Sequence, residues 1–315
     1  MSLIGPKHTK RVSGTEGHRP VLLHEVVEQL SLRPDDIVLD GTLGGAGHAE
    51  AIAHQLGTKG VFIGIDADHA AIERAKAMLT KSVASVHLIE GNFRNVGSYL
   101  WKHGIPHITK ALFDLGWSGY QLTAGRGFSF LQDDPLLMTY TEHPNAETLT
   151  ARTIVNLWKE ESIADVVYGW GEERYSRQIA RGIVEARKKK PIETSRELGE
   201  IIRSSVPAFY RKGSASRRMH PATKTFQALR IAVNDEMGAL KEGLTNAFQK
   251  LAPGGRLAVI TFHSVEDREV KRMFLEWARL GNAERITKSP ITPSREEVKA
   301  NPRSRSAKLR VVQKI

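Results

Sequence analysis

The chain contains no cysteine, which excludes disulfides, zinc-thiolate sites and cysteine nucleophiles and fits a cytosolic protein. Aromatic residues make up only 7%, and no long uncharged apolar run is present. Together with a hydrophobic content of 40%, this leaves a soluble protein as the expectation. Residues 1–19 lack the apolar stretch of a signal peptide, and 1–17 read as a disordered leader. Acidic residues are also in deficit: 35 Asp+Glu stand against 46 Lys+Arg, a net charge of +11. Such an excess suggests a polyanionic partner. It is clustered, with 15 basic and 9 acidic residues over 151–220, and six basic and no acidic ones over 299–314.

What is present begins with a glycine-rich turn. An apolar run ends at Asp40, and Gly44, Gly45 and Gly47 follow before a helix that starts near His48. A second apolar run, 61–65, ends at Asp66. This is the front half of a parallel α/β sheet binding a nucleoside-containing cofactor at its strand ends. Glycines admit the backbone close to a ligand, and the acid closing the second strand suits ribose hydroxyls. A dinucleotide site needs a third glycine for its pyrophosphate. Glu50 stands there instead, and its carboxylate would repel phosphate. S-Adenosylmethionine, with a sulfonium and no phosphate, is favoured.

Strands are predicted at 37–40, 61–66, 86–90 and 108–114, with helices at 22–30, 48–56, 68–80 and 95–103. This alternation implies a parallel sheet with right-handed crossovers. Over 126–216 the pattern becomes helical and basic with no convincing strand, and Thr194 or Ser195 is the expected cap of one helix. Residues 211–218 read as a flexible basic loop. Apolar residues from Phe226 to Phe248 recur every three or four positions, which predicts one long helix. A tight turn at 253–255 leads into a strand over 256–262, then a helix over 265–278 and a last strand over 308–312. Residues 18–125 and 217–315 thus form one Rossmann-like α/β domain, interrupted by a helical substrate-recognition subdomain over 126–216.

With these segments placed, the chain resembles the bacterial 16S rRNA (cytosine-N4) methyltransferase H family, also called MraW. The resemblance rests on His18-Arg19-Pro20-Val21-Leu22-Leu23, on the run from Asp40 to His48, and on Gly91-Asn92-Phe93 and Asp114-Leu115-Gly116. It continues through Arg126-Gly127-Phe128-Ser129-Phe130, the runs 168–174 and 220–230, Asn234-Asp235-Glu236, Phe262-His263-Ser264-Val265-Glu266-Asp267-Arg268 and the run 301–310. It covers about residues 18–312.

The resemblance implies a class I S-adenosylmethionine-dependent methyltransferase that modifies N4 of a cytidine in 16S rRNA, in the decoding-centre region of the small subunit. It implies a donor site of Gly45, Ala46, Gly47, His48, Asp66, Phe93, Asp114 and Gln121. In that site Asp66 takes the ribose, Phe93 covers the adenine, and Asp114 acts at the reacting amine as the catalytic residue. The substrate side would hold Trp117, stacked on the base, with Ser118, His220, Asn234 and His263. Arg303 and Arg305, then Lys212, Arg217 and Arg218, would hold the RNA backbone. No Cys/His cluster calls for a metal. Two segments depart from the family: Trp117-Ser118-Gly119-Tyr120-Gln121 replaces Val-Ser-Ser-Pro-Gln, and Pro135-Leu136-Leu137-Met138-Thr139-Tyr140 lacks two acids and an arginine. Both fall on the substrate wall. They leave open an enzyme for another nucleic-acid amine, and an RNA-binding assembly factor without turnover stands as the non-enzymatic alternative.

Overall fold

The computed structural model describes residues 19–116, 125–141, 144–211 and 220–315. The leader 1–17 lies outside them, as do Lys212, Arg217 and Arg218 of the basic loop.

Neighbouring residues such as Val38 and Leu39, Phe62 and Ile63, and Leu112 and Phe113 are all apolar, as strands covered on both faces require. They lie in β1 (Ile37–Asp40), β2 (Val61–Asp66) and β4 (Ile108–Asp114). With β3 (Ser85–Glu90) at one edge, these run parallel, connected through α2 (Gly47–Ala53), α3 (His69–Met78) and α4 (Val96–Lys102). β5 (Leu251–Thr261) extends the parallel run, and β7 (Lys308–Lys314) inserts antiparallel between it and the short β6 (Ala283–Arg285). The order is β3-β2-β1-β4-β5-β7-β6, so the fold class is the one expected. The direction of growth reverses between β1 and β4, and ligands of open α/β sheets bind outside the strand ends at such a switch point.

The pleat sends alternate residues into two cores. Leu39, Ile63, Phe113, Leu257 and Val259 face one cluster, which includes Leu240 and Leu244 of α11 (Glu236–Lys250) and Val270 and Phe274 of α12 (Ser264–Arg279). Val38, Phe62, Leu112, Ala258 and Ile260 face the other, with Val26 and Leu30 of α1 (Leu23–Leu30) and Ile52 of α2. Fully burying a ring such as Phe62 or Phe113 is worth roughly 1.5–3 kcal/mol.

The central block is helical, with α5 (Ala151–Leu157), α6 (Glu160–Gly169), α7 (Ser176–Lys189), α8 (Ser195–Ser205) and the short α9 (Ala208–Arg211). Thr194, not Ser195, caps α8, in a reciprocal box with Glu197 that satisfies two free amides. Ile154, Ile163, Ile179, Ile183, Leu198 and Ile202 form a third core, shared with Phe226 and Leu229.

The structure corrects three expectations. The series from Phe226 to Phe248 is two helices, α10 (Thr223–Val233) and α11, broken at Asn234-Asp235. Asp235 is left-handed at φ 45, a conformation Asp tolerates better than most residues, and its carboxylate pairs with Arg94. The expected turn at 253–255 is a bulge inside β5: the register with β4 jumps from Ile108↔Leu251 to Lys110↔Arg256, with Gly254 at φ 75. Finally, β6 and α13 (Arg295–Ala300) were not anticipated, being three and six residues long. No helix among the described residues is long and apolar enough to cross a membrane.

Candidate active site

Asp40, Asp66 and Asp114 end β1, β2 and β4. Beside them opens a cavity of about 1310 Å³ whose lining includes Gly45, Gly47, His48, Asp66, Phe93 and Asp114. The turn after β1 is strained into shape, with Gly44 at φ 49 and Ala46 at φ 61, both left-handed. Asp66 holds it: Oδ2 accepts the Gly44 N–H at 2.8 Å and Oδ1 the Asp68 N–H at 2.9 Å. A side chain at Gly47 would place its Cβ 2.9 Å from Pro20 Cγ, so packing on the chain's own proline also calls for glycine here. Ala46, expected to offer its backbone, is not in the lining and is fully buried with the core below the turn. Glu50, at the position that argued against a pyrophosphate, lines the cavity. Phe93 also lines it, its ring in a T-shaped contact with Phe113, 5.5 Å between centroids.

The electrostatics follow from burial. The Asp114 backbone N–H is held by Thr42 Oγ1 at 2.6 Å, which leaves the carboxyl poised at the strand end. Its Oδ1 has no hydrogen-bond partner, and neither has Oδ2 of Asp40. Burial pushes the Asp114 carboxyl up to about 7. It also raises Asp40 well above the usual carboxylate range, with Asp114 and Asp66 adding repulsion, and raises Asp66. His48 is driven down to about 4 by burial and is therefore neutral. Asp66 and Asp114, the two of these carboxyls that line the cavity, suit a ligand that brings positive charge and hydroxyl groups, as a sulfonium nucleoside does.

Opposite the glycine turn the cavity is walled by Tyr140, Asn234, Glu236, Phe262 and Glu266. Arg230 and Glu236 form a buried pair, Nε to Oε1 2.8 Å and Nη2 to Oε2 2.9 Å. The Tyr140 hydroxyl donates to Glu236 at 2.7 Å, and its N–H donates to Asn234 Oδ1 at 2.9 Å. His263 caps α12, its Nδ1 accepting the Glu266 N–H. The ligating atoms of Glu236, His263 and Glu266 lie within 4.8 Å of one another, a cluster that sequence reading missed. Glu236 is engaged by Arg230 and Tyr140, and Glu266 Oε2 accepts the Phe262 N–H.

The remaining expected residues divide. Asn234 lines the cavity. His263 stands behind Glu266, and His220 is not in the wall: its ring stacks on Phe130, 4.3 Å between centroids, where it braces the start of α10. Arg303 lines the cavity and Arg305 does not. Trp117, Ser118 and Gln121 lie outside the described residues. Tyr140, Glu236 and Glu266 were missed as site residues. The only signal for Glu266 was its place three residues after His263, a capping-box spacing. The last wall joins the two chain ends, with Glu297 Oε1 accepting the Leu22 N–H at 2.8 Å and Asn301 donating to the Arg19 carbonyl at 3.1 Å.

A family model described as the MraW methylase family matches residues 15–315. The chain belongs to that family. It is 45% identical over 315 residues to "Ribosomal RNA small subunit methyltransferase H" of Heliobacterium modesticaldum, covering 95% of this chain and 98% of the relative. It is 43% identical over 314 residues to the protein of the same name from Brevibacillus brevis, again covering 95% and 98%. Among solved structures, an rRNA methylase from Streptococcus thermophilus aligns over 93% of this chain and 92% of its own at 13% identity and a TM-score of 0.41, a likeness too slight to carry weight. Membership in the MraW family makes the cavity between the glycine turn and Tyr140 the place to look for methyl transfer.

Proposed function

We propose that this protein transfers the methyl group of S-adenosylmethionine to N4 of a cytidine in 16S ribosomal RNA, acting in the cytoplasm on the small subunit near its decoding centre. The observation that carries this reading is that Asp66 and Asp114 open on one cavity from either side of the glycine turn, in a chain of the MraW family. The residues present fit the donor: Asp66 to the ribose hydroxyls, Phe93 to the adenine face, Gly45 and Gly47 to close backbone approach, and the acidic floor to the sulfonium.

S-Adenosylmethionine supplies an electrophilic methyl on sulfur. The cytosine amine is a poor nucleophile because its lone pair is delocalised into the ring. Asp114, which lines the cavity, accepts the N4–H and localises that pair, then takes the proton as the N–C bond forms. Holding amine and methyl in line is worth up to about 7–11 kcal/mol in well-oriented systems. The base must leave its stack to reach the cavity, at roughly a few kcal/mol. In this reading Trp117 stacks on it, Ser118 offers its backbone, and Gln121 bonds donor or substrate. The 126–216 subdomain presents the RNA. Mass spectrometry of rRNA nucleosides from small subunits incubated with protein and donor tests the reading; N4-methylcytidine is expected, and its absence overturns the proposal.

Two variants test the binding residues. Asp66→Ala is expected to weaken the donor roughly 10- to 100-fold by calorimetry, the scale of a hydrogen bond to a charged group, while the protein stays folded. Unchanged affinity would remove the ribose role. For the RNA backbone, removing Arg303 and Arg305 together should lower affinity and flatten its salt dependence by about one slope unit per lost phosphate contact. An identical slope would show that neither touches phosphate.

A further inference from the structure

His48 lies under the reacting centre with both ring nitrogens directed. Its Nε2 is 2.9 Å from the Val21 carbonyl. A carbonyl only accepts, so Nε2 carries the proton and donates. The neutral ring then has its lone pair on Nδ1, and Nδ1 faces Asp114 Oδ2 at 3.6 Å. That is longer than a hydrogen bond, but catalytic contacts commonly tighten only when the site is filled. With Oδ2 so directed, the other oxygen, Oδ1, is the one left buried and without a partner.

We infer that His48 is a positioning residue for methyl transfer, whose Nδ1 lone pair receives a hydrogen bond from Asp114 Oδ2 once Asp114 has taken the amine proton. This rests on the proposed function and deepens it, because the donor contact expected of His48 is replaced by a role exerted through Asp114. The step balances. The N4–methyl bond forms as the sulfur–methyl bond breaks, the sulfur keeps the electron pair, and the N4 proton passes to Asp114 before leaving to water. The resulting acid, with its proton on Oδ2, has its O–H aimed at Nδ1, which stabilises the protonated form. His48 cannot serve as the acceptor itself, since Nε2 is tied to Val21 and burial disfavours its cation.

The charged groups facing the pair are few. Glu266 at the start of α12 acts on Asp114, and Asp40 at the end of β1 is coupled to it. Glu297 of α13 acts on His48. The negative charge of Glu266 favours the protonated acid, as the His48 lone pair does.

His48→Gln places an amide donor near the Nε2 position, within reach of Val21, and removes the lone pair facing Asp114. His48→Asn places an amide oxygen near the Nδ1 position and releases Val21. With the full-length protein and small subunits, His48→Gln is expected to keep donor affinity within about twofold and to lose about tenfold in kcat. Its acid limb should shift about one pH unit downward, because the protonated Asp114 has lost its acceptor. His48→Asn should keep the limb in place. Wild-type kcat and limb in His48→Gln would overturn the inference, as would a loss confined to donor affinity. Nitrogen NMR of the histidines in the wild type gives a reading independent of any variant's folding. The expected His48 is neutral at pH 6 and protonated on Nε2; an Nδ1–H tautomer, or a cation at that pH, overturns the inference. If wild type methylates no small-subunit RNA the proposed function fails instead, and the tautomer remains a separate result.

Discussion

Replacing Asp114 with asparagine is expected to lower kcat by roughly 10²- to 10⁴-fold, the range over which a positioned acid or base acts, with donor affinity changed only severalfold. The amide keeps the shape of the carboxyl, and the strand-end position is set by the backbone N–H on Thr42, so the loss would fall on chemistry. The pH dependence carries the sign. Burial raises the Asp114 carboxyl to about 7, so below that pH it is protonated and cannot accept from the amine. Wild-type rate should therefore climb as pH rises through neutrality, and the asparagine variant should lack that limb. Single-turnover transfer from labelled donor to small subunits measures both. A variant retaining more than about a tenth of the wild-type rate above the limb would place the proton acceptor elsewhere.

Arg230→Met is expected to destabilise the protein by about 3–5 kcal/mol, the usual consequence of leaving one member of a buried ion pair alone. Arg230 and Glu236 keep 8% and 12% of their side-chain surface exposed, so water cannot replace the lost partner. Two details amplify the effect. Glu236 also anchors the Tyr140 hydroxyl, and Asn234, one helical turn past Arg230, anchors the Tyr140 N–H. The cavity wall opposite the donor should loosen with the pair. Denaturant unfolding would register the loss, and a melting point lower by on the order of 10 °C should accompany it. The double variant Arg230→Met, Glu236→Leu should recover most of the stability, because it leaves no unpaired charge. If the single variant melts like wild type, the pair does not hold that wall.

These two residues differ in how far they could be read in advance. Asp114 closes an apolar run, and continuous apolar stretches ending in Asp at 40, 66 and 114 are visible along the chain because strands of a covered parallel sheet bury both faces. A helix start at Thr194 or Ser195 was equally legible. Arg230 and Glu236 were not, since the apolar rhythm from Phe226 to Phe248 runs across the break at Asn234-Asp235 as though it were one helix. A single left-handed residue at Asp235 turns Glu236 back onto Arg230, and nothing in the spacing of apolar residues records it. His220 and His263 show the same limit from the other side. Both are chemically able residues, yet one braces Phe130 and the other caps α12.

Local patterning alone therefore determined the α/β sheet, the glycine turn, the strand-end acids and the basic excess, because each depends on residues close together in the chain. Tertiary structure decided which of those groups share one cavity: Leu22 is joined to Glu297 and Arg19 to Asn301 across nearly the full chain length, and Tyr140 meets Glu236 from separate segments. It also decided the protonation of Asp114 and His48, since a carboxyl's affinity for its proton is set by the burial and neighbours that only folding supplies.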